Sequence, residues 1–380
     1  MNTDDNHIMP IWDTAAWPKF TCDLDALQAP LSALMLEVGK IAALQDSLSL
    51  DDRHAALANE IGREAVASYA IEGETLELQS ITISVMASLD QRYRHHVDNR
   101  SPNIATLMLD ARQRQSALTK ERLFSWHRMM FQDSNLKEVG QWRTQDMRIV
   151  SGPMGNYTTE YVAPPPSRVR SEMERFIEWL NKDTGEAAPI KAAIAHVWYE
   201  SIHPFEDGNG RTGRLIIEYL LAQVSERPLP LSPSRAILKH RKTYYAELKR
   251  SQHATGEDDQ QIDITDFVRW LLTVLKEAAE EALLDLQFLS QRNLFMQQWS
   301  GHLSDRQTLV IQRLFEEGRK RVNQGISSKP YARIAKVSAA TASRDLADLL
   351  KKGAILQNEA KGRSTSYRLN LEGSPRSISA

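Results

Sequence analysis

Residues 203–214 read HPFEDGNGRTGR, and few backbones can hold them. Gly208, Gly210 and Gly213 free the chain for turns that other residues resist. The next stretch, RLIIEYLLAQV, repeats apolar residues at helical spacing, so the motif is the entry turn of a helix beginning near Arg211. In G-N-G, successive N–H groups converge on one point and form an anion nest. The helix aims its positive end at the same place. Arg211 and Arg214 are three apart, share a face and reach phosphate oxygens together. Asp207 supplies a hard oxygen, and Mg²⁺ on a polyphosphate commonly needs only one or two carboxylates. His203 stands just before the nest, where it would take a proton from an incoming hydroxyl while the nest holds the phosphate under attack. A calcium loop starting at Asp207 fits at Asn209 and Glu218 but fails between them. Its fifth position is Arg211, which repels the ion, and its sixth is Thr212 instead of glycine.

Whole-chain properties narrow the class. The 380 residues suffice for two or three domains. No uninterrupted apolar run approaches the roughly 20 residues of a membrane span, so no membrane partner is expected. The first twenty residues are acidic and have no continuous apolar core, which argues against a signal peptide. Cys22 is the single cysteine, which excludes an intrachain disulfide and a cysteine-cluster zinc site and suits a reducing cytoplasm. The net charge of −2 is unevenly spread. From Ser300 onward fifteen Lys and Arg face seven Asp and Glu, so a basic C-terminal module follows an acidic body.

Most long segments have helical periodicity, and the expected fold is mainly α. DDRHAALANEIGREAVASYAIEG reads as a helix of about 52–73 with an Asp cap and a stop at Gly73. The exception is 147–162, where two β-type runs flank a Gly-Pro and Gly-Asn turn, a hairpin signal. The last eighty residues change character. Ser304 and Gln307 form a capping-box pattern. YARIAKVSAATASRDLADLLKKG reads as helix, tight turn, helix, with Ser338 as cap and Gly353 as stop. AILQNEAKGRSTSYRL reads as strand, turn, strand, and the order is that of a winged helix-turn-helix. The expected organisation is an N-terminal helical extension at 1–100, a catalytic core at 101–285, a helical linker at 286–300, the winged module at 301–372 and a disordered tail at 373–380.

HPFEDGNGRTGR resembles the Fic (filamentation induced by cyclic AMP) signature H-x-F-x-[DE]-G-N-G-R-x-x-R at every fixed position. The resemblance implies a Fic helical core that moves AMP from ATP to a Ser, Thr or Tyr hydroxyl of a protein, itself included, and releases pyrophosphate. It implies His203 as general base and Asp207 as the Mg²⁺ ligand. Phe205 would pack inward, and Gly208, Asn209 and Gly210 would form the anion hole. Arg211, Thr212, Gly213 and Arg214 would complete the nucleotide site. The 147–162 hairpin lies where the family carries its flap, whose strand edge would register an extended target segment. Tyr161 and Val162 would lie near the nucleotide, and KTYYAELKR resembles the helix beside the adenine, with Tyr244 the better candidate.

Glu72 ends its helix, where a carboxylate meets the negative dipole end, so a cationic partner is expected. Ser68 lies four residues earlier on the same face. SYAIEG resembles the inhibitory motif [ST]-x-x-x-E-[GN] of self-regulated Fic proteins, which implies a Glu72–Arg214 salt bridge that keeps ATP in a non-reactive pose. In the C-terminal module Thr341, Ser343 and Arg344 would meet DNA from the second helix, and Lys361 and Arg363 from the wing. Two other functions fit the sequence. One is a DNA-bound regulator whose Fic domain senses nucleotide. The other is an enzyme that removes AMP with Glu72 orienting water. The family often dimerises, so a homodimer is the expected assembly.

Overall fold

The computed structural model describes residues 9–90, 100–114, 117–132, 134–151, 158–254, 260–358 and 365–373. Among these it contains fifteen α-helices and only short strands. The chain divides into two compact units, 1–283 and 284–380.

The first unit opens with a segment whose two-residue strand β1 (Phe20–Thr21) later pairs in parallel with β4 (Ile262–Asp263). Helix α1 (Leu24–Asp46) follows, capped by Asp23, whose carboxylate accepts from Ala26 N. By length and composition α1 is apolar enough to cross a bilayer, an exception to the expectation from sequence. Its Leu27, Leu34, Val38 and Ile41 are nevertheless buried within the unit. Helix α2 (Leu50–Ile71) begins two residues before the expected position, because the Ser49 hydroxyl accepts from Asp52 N at 3.1 Å and caps it first. It ends at Glu72, and Gly73 takes φ +83°, the left-handed turn that redirects the chain.

Helices α3 (Leu78–Leu89), α4 (Arg100–Ala111) and α5 (Lys120–Phe131) precede an antiparallel hairpin, β2 (Arg148–Ser151) and β3 (Thr158–Val162). The register pairs Ile149 with Tyr161 and Val150 with Thr159, with an irregularity between Ile149 and Val150. Helix α6 (Pro166–Asn181) leads to the centre of the unit, α7 (Ala188–Ile202) and α8 (Asn209–Leu221). Every residue of α7 from Pro189 to Ile202 is buried, as is all of α8 except Gly210. A helix surrounded on all sides has to be core. The motif of 203–214 therefore sits where the two most enclosed helices join. Helix α8 starts at Asn209, two residues ahead of the expected start, because Gly208 turns the chain at φ +78°. Helices α9 (Pro233–Lys239), α10 (Arg241–Ser251) and α11 (Thr265–Gln298) complete the order, and the boundary between the units falls within α11.

The second unit gathers Phe295 and Trp299 into a core with α12 (Asp305–Glu316), α13 (Arg319–Gln324), α14 (Ser328–Ala335) and α15 (Ala339–Lys352). A hairpin of β5 (Ile355–Gln357) and β6 (Tyr367–Leu369) closes it. Phe295 and Trp299 lie in the segment that sequence periodicity assigns to a linker, yet both are buried. The capping box of Ser304 and Gln307 forms, with Ser304 N donating to Gln307 Oε1 at 2.9 Å. Short α13 has no strong sequence signal. Ser338 caps α15 and Gly353 ends it at φ +89°. Lys361, Arg363 and the tail beyond 373 lie outside the described residues, as does the hairpin tip at 152–157.

Candidate active site

The loop between α7 and α8 is fixed from several sides. His203 ends α7 in the left-handed conformation, φ 50° and ψ 60°, which is rare for a residue with a side chain. Arg143 holds it there. Its Nε donates to His203 O at 2.8 Å and its backbone N to Pro204 O at 2.9 Å. Its Nη1 donates to Gln145 O at 2.8 Å and its Nη2 to Pro164 O at 2.5 Å. One buried guanidinium thus ties the end of α7 to both roots of the hairpin. Within the loop, Asn209 Oδ1 accepts from Phe205 N and Nδ2 donates to Phe205 O, both at 2.9 Å. Phe205 is fully buried and stacks on His127 at 4.1 Å. Gly140 N donates to His127 Nδ1, so Nε2 carries the ring proton and donates to Asp207 O at 3.0 Å. A Cβ on Gly208 would overlap the Phe131 ring, which adds a steric demand to its positive φ.

A cavity of about 730 Å³ opens over this loop. His203, Asp207, Gly208, Asn209 and Gly210 form its floor, Tyr161 and Tyr244 stand in its walls, and Glu72 reaches in from the end of α2. The Asn209 and Gly210 amides belong to the first turn of α8, where N–H groups have no partner inside the helix. The Glu72 carboxylate lies against Gly210, where an added Cβ would overlap its Oε1. The same oxygen pairs with Arg214 Nη2 at 2.8 Å. Ser68 completes the grip: its hydroxyl accepts from Arg214 Nε at 3.0 Å and its carbonyl from Nη2 at 2.8 Å. The Arg214 side chain is only 1% exposed, and its Nη1 has no hydrogen-bond partner. Burial works against its charge, and Glu72 reverses that effect and raises its pKa.

Not every expected site residue reaches this cavity. The Arg211 guanidinium faces a separate cavity of about 480 Å³. There it lies between the Tyr69 and Phe131 rings and pairs with Glu74 at 2.6 Å. Two carboxylates that follow α2 therefore hold the two arginines of the motif. Thr212 and Gly213 are buried along α8, and a Cβ on Gly213 would overlap Glu200 Oε1, so that glycine serves packing. Val162 is 37% exposed, and its carbonyl accepts from the Trp12 indole at 2.7 Å. The Tyr161 hydroxyl donates to Ser201 O, and the Tyr244 hydroxyl meets His196 Nε2 at 2.9 Å, so both rings are anchored from behind.

Sequence reasoning missed Arg143, His127, Glu74, Glu200 and Gln252. A carboxylate two residues after Glu72, matched to two arginines three apart, was a usable signal for Glu74. Nothing in one sequence marks the others. Gln252 is 3% exposed, lines the large cavity, and its Nε2 has no partner. An amide so placed offers a donor and an acceptor to a heterocycle edge. As for a cation, Asp207 is 60% exposed, and no group of three or more metal-binding side chains occurs among the described residues. Asp207 Oδ1 lies 3.6 Å from Arg211 Nη2, and a single exposed carboxylate of this kind could hold Mg²⁺ only if the ion took its remaining ligands from a bound phosphate and water.

The family description "Fic/DOC family" matches residues 117–221, and "Domain of unknown function (DUF4172)" matches 11–90, a range that contains Glu72. A protein adenylyltransferase Fic from Nematostella vectensis is 26% identical over 211 residues, 54% of this chain and 44% of that protein. The protein of the same name from Drosophila willistoni is 29% identical over 210 residues, 54% of this chain and 38% of that one. The chain thus spans less than half the length of these relatives. A Fic-domain-containing signaling protein from Bacteroides thetaiotaomicron has a similar fold, with a TM-score of 0.51 and 18% identity over 67% of this chain and 97% of that one.

Burial sets the charges in the site. It lowers the pKa of His203 to about 4, with the Arg143 charge adding, against the Glu200 carbonyl and Asp207. It lowers that of buried His196 to about 3. Both imidazoles are neutral near pH 7. Their folded pKa values lie below the unfolded value, so their contribution to stability is present above about pH 6.5 and is lost as pH falls toward 4. Urea unfolding between pH 7 and 4 should show this acid limb, and it should be shallower in His203→Asn. An identical limb in that variant would mean that His203 does not titrate in this way.

Proposed function

We propose that this chain, whose residues 117–221 are a Fic domain, is a protein adenylyltransferase held off by its own Glu72. The observation that carries the reading is the meeting of His203, the free amides at the start of α8 and the Arg214–Glu72 pair in and beside one cavity. The amides and Arg214 are where a polyphosphate binds, and in the resting protein Glu72 stands in its place. The nucleobase would lie beside Tyr244, Tyr245 and Gln252. Asp207 would hold Mg²⁺, which neutralises phosphate charge. His203 faces Glu200 through Nδ1, which leaves Nε2 as the proton acceptor. The target hydroxyl would lose its proton to Nε2 while its oxygen attacks the α-phosphorus. The α–β phosphoanhydride bond breaks, and pyrophosphate leaves. The outer edge of β3, beside the cavity, suits an extended segment of the target. Arg211 would join the phosphates only after leaving Glu74.

A second reading concerns the C-terminal unit by itself. Among the described residues, Lys329, Arg333, Lys336 and Arg344 are exposed on α14, α15 and the turn between them, and no ion pair holds them. The acidic residues of α15 are engaged: Asp345 by Arg306 and Tyr331, Asp348 by Gln307 and Lys352. Ser343 is exposed and Thr341 half-buried at the start of that helix. This charge separation supports duplex DNA as a partner.

Two outcomes are expected. With Mg²⁺ and ATP labelled on the α-phosphate, Glu72→Gly protein should retain at least about tenfold more label than wild type. Label on the γ-phosphate should not be retained, and His203→Ala in the Glu72→Gly background should retain none. Retention from the γ-phosphate would make the reaction phosphoryl transfer, and equal labelling of wild type and Glu72→Gly would remove Glu72 as the brake. In gel-shift titrations of the full chain, binding of duplex DNA should weaken with salt. Arg344→Ala should reduce the salt slope by about 1. No binding at low salt would refute the second reading.

A further inference from the structure

Glu200 is a buried carboxyl group in the large cavity, and the proposed transfer reaction gives it no task. It lies on the last turn of α7, three residues before His203. Its Oε2 is 3.7 Å from His203 Nδ1, and its carbonyl oxygen is 3.4 Å from the same nitrogen. Its Oε1 has no hydrogen-bond partner and lies against Gly213, where no other residue leaves room for it. A carboxyl group buried for packing alone would have both oxygens satisfied or be replaced by an amide or an apolar side chain.

We propose that Glu200 is the positioning residue of the base: its backbone carbonyl accepts the Nδ1 proton of the neutral His203 ring, and its carboxyl group, standing behind the same nitrogen, answers the charge of the imidazolium formed when Nε2 takes the target's proton. The proposal rests on the reading of His203 as the base. Proton and charge balance within the pair. The hydroxyl proton goes to Nε2, the positive ring faces the Glu200 carboxylate, and Nε2 afterwards returns the proton to solvent.

The surroundings of the pair link it to the brake. From the end of α2, Glu72 adds negative charge, and from α8, Arg214 adds positive charge. Burial, opposed by Arg214 and helped by Glu72, raises the pKa of Glu200 to about 8, which favours its neutral form in the resting protein. The remaining titratable neighbours are His196 and Tyr199 on α7 and Tyr244 on α10, with Arg143 and Asp207 facing His203. Removal of Glu72 takes away that negative charge and leaves Arg214, which shifts Glu200 toward its ionised form behind the ring. Glu72 then restrains the base as well as the phosphate-binding arginine.

The test needs no ATP. Full-length protein with ¹⁵N-labelled histidine, its His203 signal assigned by His203→Asn, is titrated by NMR as wild type, Glu72→Gly and Glu72→Gly with Glu200→Gln. The proton affinity of His203 should rise at least about tenfold from wild type to Glu72→Gly. Glu200→Gln should cancel the rise, and Glu200→Asp, which keeps the charge if the amide fails to fold, should retain part of it. The same His203 titration with and without Glu200→Gln would overturn the proposal. A parallel measurement in the Glu72→Gly background should find kcat for AMP transfer down at least about tenfold in Glu200→Gln, with KM for ATP within about twofold. Equal changes in both constants would indicate packing instead of positioning. Absence of AMP transfer with the expected NMR shift would fault the proposed reaction and leave the His203–Glu200 relation standing.

Discussion

A guanidinium group sealed between helices has to be answered by negative charge, and much of this site follows from how Arg214 meets that demand. Its side chain is 1% exposed, and α7 and α8 enclose it on the core side. No carboxylate on those helices forms an ion pair with it among the described residues. The answer comes from α2, some 140 residues earlier in the chain, through Ser68 and Glu72. One ionic contact therefore docks α2 and, on the proposed function, would hold the cation that a polyphosphate would use. Breaking a pair around a buried charge leaves that charge without compensation. On the proposed function an incoming phosphate would fill that vacancy, so the cost of losing Glu72 and the gain from binding nucleotide would concern the same arginine.

The other constraint is the sharp connection from α7 to α8. It needs left-handed backbone at His203 and at Gly208. The glycine adopts it freely. The histidine does so because Arg143 binds the carbonyls around it and because Asn209 and His127 hold the segments on either side. The imidazole is thus aimed by a rigid framework. Arg143 also binds the carbonyls of Gln145 and Pro164, so the roots of the hairpin and His203 share one anchor.

Much of this was legible in the sequence because it is local. Glycine spacing in HPFEDGNGRTGR marks the turn, apolar periodicity marks α8, and SYAIEG marks the end of α2. Element boundaries were misplaced by two residues at α2 and α8, where Ser49 and Gly208 act ahead of the residues that periodicity singles out. What stayed hidden depends on contacts between distant segments. Arg143 works through carbonyl oxygens, and those carry no sequence signature. The spacing of Arg211 and Arg214 puts both on one side of a helix. Yet Glu74 and two aromatic rings draw Arg211 to a different cavity. Phe295 and Trp299 are assigned by periodicity to a linking helix, but the second unit needs them to complete its core.

The most direct measurement is the crystal structure of wild type and of Glu72→Gly, each soaked with Mg²⁺ and a non-hydrolysable ATP analogue, read as the distance from Arg214 to the nearest γ-phosphate oxygen. With Glu72 absent, that oxygen should lie within hydrogen-bond distance of the guanidinium. In wild type the guanidinium should remain on Glu72 and the γ-phosphate should lie elsewhere. A γ-phosphate bound to Arg214 in wild type with the Glu72 pair intact, or away from Arg214 in Glu72→Gly, would contradict the account.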